Sequence, residues 1–369
     1  MNGASPLNRT PLPRHAQRVS QAARAGSYSC RDACDFILPT AKQKFSARSA
    51  EADAMSAFTS MSRRHALLGA LAASCVRDRA VAETPARAWA TDEVAAGIHI
   101  RRGVDEDVSA TNDDAIANIG FIVGRDAVAV IDSGGSLNDG RRLRASIRQM
   151  TSLPIRYVLM SHVHPDHVFG AGAFSADHPL YVGHEGLPRA LSLRWDYYRA
   201  RTEAILGKDT VGALVTPTLL VHERAQIDLG GRVVELTAHG IAHTDSDLSA
   251  FDRQTGTLIA ADLLFVRRVP SLDGSLKGWL KELALLKGVA ARRAVPGHGP
   301  TSVDWPLGCR DLERYLGVLL RETRAAIKQG QDIDAAVKTV GLSERGRWVL
   351  FDDYHGHNVI QAFKEAEWE

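Results

Sequence analysis

The chain has 369 residues, 45% apolar and 24% charged, a globular composition that excludes a disordered or fibrous protein. Lys and Arg number 45 against 43 Asp and Glu, a formal charge of +2, which lacks the strongly basic balance of a nucleic-acid binder. Cys30, Cys34, Cys75 and Cys309 form no C-x-x-C pair, so a zinc ribbon and a dense disulfide framework are both excluded.

No run of about 18 apolar residues occurs, so no membrane span is expected. Ser62-Arg63-Arg64 leads into the short apolar, small-residue-rich stretch 65–74, and Ala80-Val81-Ala82 follows as an A-x-A cleavage site. That succession predicts a twin-arginine export signal over 61–82 and a periplasmic or secreted mature protein. An arginine pair capping a surface helix is the plain alternative. Met1–Ser60 is polar and aperiodic, and we read it as an untranslated or disordered leader, with translation starting at Met55 or Met61. Ala72-Ala73-Ser74-Cys75 also offers a weak lipoprotein cleavage site. Residues 1–82 hold 12 of the basic and 5 of the acidic side chains, so the remainder, 83–369, is an acidic domain whose one cysteine is Cys309.

From Trp89 onward short apolar runs alternate with helical patterns, without repeats or a long linker. Ile98–Ile100, Ile119–Val123 and Ala127–Asp132 read as strands, the last buried on both faces. After the turn Ser133–Ser136, Leu143, Ile147 and Met150 mark the apolar side of a helix. Tyr157–Met160 is a further buried strand. Gly231–Leu236, Leu248–Phe251 and Thr257–Ala261 follow as strands. Leu276, Trp279, Leu280, Leu283 and Leu286 form one helix face, and Leu312, Leu316, Leu319, Thr323 and Ile327 another, with Cys309 on it as a buried, inert thiol. Intermingled strands and helices predict a layered α/β or αββα architecture.

Five of the 14 histidines fall where an apolar strand ends in a loop beside carboxylates. The densest group is His162-x-His164-x-Asp166-His167. In an extended segment His162 and His164 point the same way. Three imidazoles and a carboxylate within six residues would be costly to bury without a partner. Imidazole and carboxylate suit zinc, with iron or manganese as alternatives. Four ligand-type side chains in one loop exceed the needs of a single ion, and two metals are expected.

Ser161–His167 resembles the H-x-H-x-D-H motif of the metallo-β-lactamase fold superfamily. Val130-Ile131-Asp132-Ser133-Gly134 resembles its apolar strand ending in Asp-Ser/Thr-Gly, His239–His243 its H-x-x-x-H-T segment, Ala261-Asp262 its later carboxylate, and Val295–Gly299 its closing P-G-H-G. These occur in the family's order over roughly residues 97–300. The resemblance implies an αββα four-layer sandwich, a first metal site of His162, His164 and His243, and a second of Asp166, His167 and His298. It implies Asp262 as the bridging carboxylate of the glyoxalase-II-like branch. His239 is then structural, and Asp132 braces the metal loop through hydrogen bonds.

Two zinc ions, with iron or manganese possible, would share a water, and the bridging hydroxide would attack a carbonyl carbon, oriented by Asp166. An ester, thioester, lactone or amide of a small molecule fits equally. Residues His162–Phe174 and Ala242–Leu248, with the terminal Glu367-Trp368-Glu369, are similar to the exported quinoprotein-relay and sulfur-oxidation-cluster zinc metallohydrolases. A true β-lactamase is the nearest rival, opposed by Asp262; a mononuclear-iron persulfide dioxygenase is opposed by Asp166, His167 and His298. Nucleic-acid processing lacks a basic, aromatic-interleaved tract, and a non-catalytic binding module would have lost ligands, of which none is missing. His99, His178, His184 and His222 read as isolated structural or surface groups. Tyr354, His355 and Asn358 either cap the last helix or close over the pocket.

Overall fold

A computed structural model describes residues 86–369. The leader, the export signal and Cys30, Cys34 and Cys75 lie outside the described residues.

In chain order the first half comprises β1 (Asp92–Ala95), β2 (Ile98–Arg101), β3 (Ile119–Val123), β4 (Val128–Ile131), α1 (Leu137–Met150), β5 (Ile155–Met160), α2 (Pro165–Val168), β6 (Leu180–His184), α3 (Leu187–Leu206) and β7 (Leu219–Val221). The second comprises β8 (Arg224–Asp228), β9 (Val233–Ala238), β10 (Leu248–Asp252), β11 (Thr257–Phe265), α4 (Leu276–Leu286), β12 (Arg293–His298), β13 (Val303–Asp304), α5 (Arg310–Lys328), α6 (Ile333–Val337) and α7 (Phe351–Ala366). Strands β1 to β7 form one sheet in sequence order, and β13-β12-β11-β10-β9-β8 form the second.

Apolar side chains divide these elements into layers. Ile100, Ile122, Ile131 and Leu159 of the first sheet meet Leu236, Ala250, Ile259 and Val295 of the second in one cluster between the sheets. Phe121, Val130 and Val158 face outward onto Leu143 and Ile147 of α1 and Leu187 and Leu191 of α3. On the far side Leu258, Ala260 and Ala294 pack against Trp279 of α4, Leu316 of α5 and Val359 of α7. The result is the expected αββα order. Strands β4 and β11 are buried along their whole length because both faces of each sheet are covered. Cys309 is buried at the start of α5, and burial raises its thiol pKa. Met150, expected on the buried side of α1, is 48% exposed because the helix ends there, beyond the reach of the core.

Ser136 caps α1 by accepting from the Asp139 amide at 3.1 Å, which satisfies one of the free donors of the first turn. In the second sheet Asp252 receives Arg232 Nε and Nη2 at 3.1 and 2.9 Å and the Thr255 hydroxyl at 2.6 Å. Burial alone would raise this carboxyl; the bonds from Arg232 and Thr255 outweigh it and lower the pKa. A depressed carboxyl stabilises the fold above its unfolded pKa of about 4 and loses that contribution as the pH falls through its folded value. Denaturant midpoints measured between pH 6 and 3 should therefore fall less steeply for Asp252→Asn than for the natural chain; identical slopes would remove Asp252 from the acid transition.

Candidate metal centre

Strands β4 and β5 run parallel, as do β11 and β12, and the chemistry collects at their carboxyl ends. There the backbone leaves the ladder and its side chains turn into a crevice. Asp132 follows β4; the segment 161–167 follows β5 and enters α2; His243 stands in the β9–β10 loop; Asp262 is in β11, and His298 closes β12. Asp132 and Ala261 hold left-handed backbone, at φ +53° and +47°, uncommon for residues with a Cβ and characteristic of strain kept at functional sites. Gly297 is required beside them, since a Cβ there would lie 1.8 Å from Asp262 Oδ1.

The structure brings together all seven residues expected as ligands. One atom from each of His162, His164, His243 and Asp262 lies within 4.8 Å of the others, and Asp166, His167 and His298 form a second group by the same measure. Asp262 faces both: its Oδ2 is 3.3 Å from His243 Nε2 and 3.4 Å from His298 Nε2, and its Oδ1 is 3.1 Å from His167 Nε2.

Each imidazole has an acceptor on its outer nitrogen, and those partners assign the tautomers. His164 Nε2 donates to Asp273 Oδ2 at 2.7 Å, and His243 Nδ1 to the Ser271 carbonyl at 2.7 Å. His162 Nδ1 lies 2.9 Å from Ser161 Oγ, whose own proton goes to Asp132 Oδ2. His167 Nδ1 donates to Asp132 Oδ2 at 2.8 Å, and His298 Nδ1 to the Ile116 carbonyl at 3.1 Å. The five inner nitrogens point into the cluster, and an imidazole that is neutral and bonded in this way turns a lone pair there. His164 Nδ1 is 3.1 Å from His162 Nε2 and 3.0 Å from His243 Nε2, distances at which lone pairs without a proton repel. His167 Nε2 and Asp262 Oδ1 are buried with no hydrogen-bond partner. Orphans of this kind cost about 1–3 kcal/mol each. Divalent cations resolve every one of these conflicts, so the residues present fit a metal centre.

Without a cation, protons take its place: burial lowers His167 and His243, yet Asp262, Asp166 and Asp132 raise His167 well above the usual imidazole value and Asp262 raises His243. Burial alone would raise Asp262, yet His167, His298 and His162 hold it well below the ordinary carboxylate range. Burial keeps His162 well below the usual imidazole value, and the neighbouring His167 adds to the effect.

Asp132 also accepts from the Ser161 amide at 2.8 Å, so one carboxylate braces both ends of the His-rich loop. His239 stays out of the cluster: Nδ1 pairs with Glu282 and Nε2 with Ser249, the structural role expected of it. His99, His178, His184 and His222 are likewise absent from both groups. Of the C-terminal trio, Tyr354 meets the second alternative, and His355 and Asn358 meet neither. Tyr354 lines the pocket, donating to Asp107 and accepting from Arg268. His355 bonds the Tyr315 hydroxyl and the Val340 carbonyl, and Asn358 ties down Leu272 and Pro270, so neither caps the helix.

Over the cluster opens a cavity of about 170 Å³ walled by Tyr198 and Arg201 of α3, by Phe265, Arg268 and Asp273, and by Tyr354. Arg201, Arg268 and Asp273 were not singled out from sequence. Arg268 is buried and has no carboxylate within salt-bridge distance among the described residues; it rests on the Tyr354 ring. No helix among these residues is long and apolar enough to cross a membrane.

A Linear primary-alkylsulfatase from Pseudomonas sp. (strain ATCC 19151) is 29% identical over 58 residues, 16% of this chain and 11% of that enzyme. A stereoselective inverting sec-alkylsulfatase from Pseudomonas sp. superposes with a TM-score of 0.57 at 18% identity, over 75% of this chain and 50% of that one. A metallo-beta-lactamase from Pontibacter korlensis gives 0.48 at 18% identity, over 62% and 98%. The chain thus spans about a tenth of the curated relative and half of the sulfatase structure, and at these identities the structural likeness shows the fold alone. The profile of the Metallo-beta-lactamase superfamily matches residues 112–298, just over half the chain and all seven clustered residues. The chain belongs to the metallo-beta-lactamase superfamily.

Proposed function

We propose that the chain is an exported dinuclear metallohydrolase that cleaves an ester, thioester, lactone or amide bond of a small molecule. His162, His164 and His243 hold one zinc ion, and Asp166, His167 and His298 the other, with Asp262 serving both; iron or manganese suits the same donors. The observation that carries this reading is the convergence of the inner nitrogens of five imidazoles on two carboxylates beneath the cavity. Bound there, the cations supply Lewis acidity and lower the pKa of water towards neutrality.

The chain's own groups do the rest. Asp166 keeps its Oδ2 3.3 Å from His298 Nε2 and faces the cavity, so it orients the attacking water through one of its protons. Phe265, Val269 and Ile116 give the pocket an apolar wall suited to the carbon skeleton of a substrate. Arg201 and Arg268 line it beside Asp107, Asp114 and Asp273, and these two guanidiniums, with cations bound beneath, would meet an anionic group on the substrate. That observation supports a second reading, in which the scissile bond belongs to an organic sulfate ester, the substrate class in the names of the two sulfatase relatives. Residues 61–82 support export, since they combine a twin arginine, an apolar run and an A-x-A site.

One purification tests all of this. Protein recovered from the exported fraction should begin after Ala82, carry two divalent metals, and turn over a member of a panel of lactones, thioesters, β-lactams and sulfate esters. Chelation should abolish that turnover and zinc restore it. One iron per chain with oxygen uptake would replace the hydrolase by the dioxygenase reading, and a mature chain retaining residues before Met55 would end the export assignment.

A further inference from the structure

We propose that the C-terminal helix α7 is part of the metal centre, with His357 a positioning residue that fixes Asp273 and so aims His164 at the first metal group. This rests on the ligand assignment of the hydrolase reading. Helix α7 lies outside the segment matched by the superfamily profile, so membership of the family does not place it at the site.

His357 Nε2 donates to Asp273 Oδ1 at 2.9 Å while Asp273 Oδ2 accepts from His164 Nε2 at 2.7 Å. Each oxygen of one carboxylate is thus committed to a different ring. Asp273 stands on a loop with its side chain 30% exposed, and the bond from His357 is what stops the carboxylate rotating into solvent. The orientation matters because Asp273 holds the proton of His164 on the outer nitrogen, leaving Nδ1 bare towards His162 and His243.

The next residue of α7 holds the same loop from inside. Asn358 accepts from the Leu272 amide at 2.9 Å and donates to the Pro270 carbonyl at 2.7 Å. Between these anchors lies Ser271, whose carbonyl fixes the tautomer of His243. Two adjacent residues of one helix therefore set the outer partners of two of the three histidines in the first group. An exposed His–Asp pair alone contributes little to stability. Its effect here should be read in metal affinity, because outer partners of ligating histidines typically change affinity ten- to hundredfold, on the order of magnitude found elsewhere.

The test compares the natural chain, His357→Ala and His357→Gln, using zinc competed against a chromophoric chelator, with the melting temperature of each metal-free protein alongside. His357→Ala should lose about tenfold in affinity for one of its two zinc ions while the metal-free melting temperature stays within a degree or so. His357→Gln, which keeps a donor on a side chain of similar reach, should recover most of the loss. Unchanged zinc affinity in His357→Ala would overturn the proposal, as would a fall in melting temperature without a fall in affinity, the mark of a merely structural pair. Failure of the natural chain to bind zinc, iron or manganese would take down the hydrolase reading and this one together; normal binding by both chains takes down this one alone.

Discussion

Asp262→Asn should lose metal from both groups at once and lower turnover by more than the hundredfold that outer partners command. The reason is its position between the groups: Oδ2 lies 3.3 Å from His243 Nε2, 3.4 Å from His298 Nε2 and 3.7 Å from His162 Nε2, while Oδ1 is 3.1 Å from His167 Nε2. One carboxylate is the anion that four imidazoles share. Asparagine keeps its volume where Gly297 presses against it, so the fold survives and the charge alone is removed. Without that charge, two cations would approach each other with no common counter-ion, at a cost that low-dielectric surroundings enlarge. His239→Ala is the matched control: it stands in the β9–β10 loop beside the ligand His243 and is also buried, but is bonded to Glu282 and Ser249 instead of the cluster. It should keep both metals. Metal per chain after dialysis, with turnover of whichever panel member is cleaved, decides the matter, and two metals retained by Asp262→Asn would remove the bridging role.

The difference between these two residues was visible in the sequence only through family resemblance. His162, His164, Asp166 and His167 were legible directly, because four ligand-type side chains stand within six residues after an apolar strand. Asp262 is a single polar residue inside an apolar run and His298 stands at the end of another, and both gain meaning only when the two parallel strand pairs bring them to one crevice. Asp273 and His357 carried no signal at all. They lie 84 positions apart, and the contact between them exists only because α7 packs against the loop before α4. Helix α3 was missed for a different reason. It buries Leu187, Ala190, Leu191 and Thr202 but leaves Leu193 and Tyr197 exposed, so its apolar residues follow no single helical face. The strands were easier to find than to bound. Thr257–Ala261 continues through Asp262 to Phe265, because a strand covered on both faces tolerates no polar residue unless a site requires one. The left-handed backbone at Asp132 and Ala261 was equally invisible, since nothing about Asp or Ala announces it.

Asp139→Ala should destabilise the fold by about 3–5 kcal/mol, the typical result of stranding one partner of a buried ion pair. That is a large share of the roughly 5–15 kcal/mol that holds a domain together. Asp139 and Arg101 are both buried, with Nη2 donating to Oδ2 at 2.5 Å. The Trp89 indole donates to the other oxygen at 2.8 Å. Arg101 Nη1 is spent on the Ala115 and Ala117 carbonyls, so the guanidinium cannot swing out to water when its carboxylate is removed. Burial raises the Asp139 carboxyl and the charge of Arg101 opposes it, which marks a pair whose desolvation is only just compensated. An apolar pair of similar volume should then do nearly as well: Arg101→Met with Asp139→Leu is expected to recover most of the stability lost by Asp139→Ala, at the cost of the Trp89 bond and the two carbonyl bonds. Denaturant unfolding of the three chains separates the possibilities. A double variant no more stable than Asp139→Ala would assign the loss to those hydrogen bonds instead of the stranded charge, and a single-variant cost below about 1 kcal/mol, the range of an exposed pair, would mean that water reaches Arg101 after all.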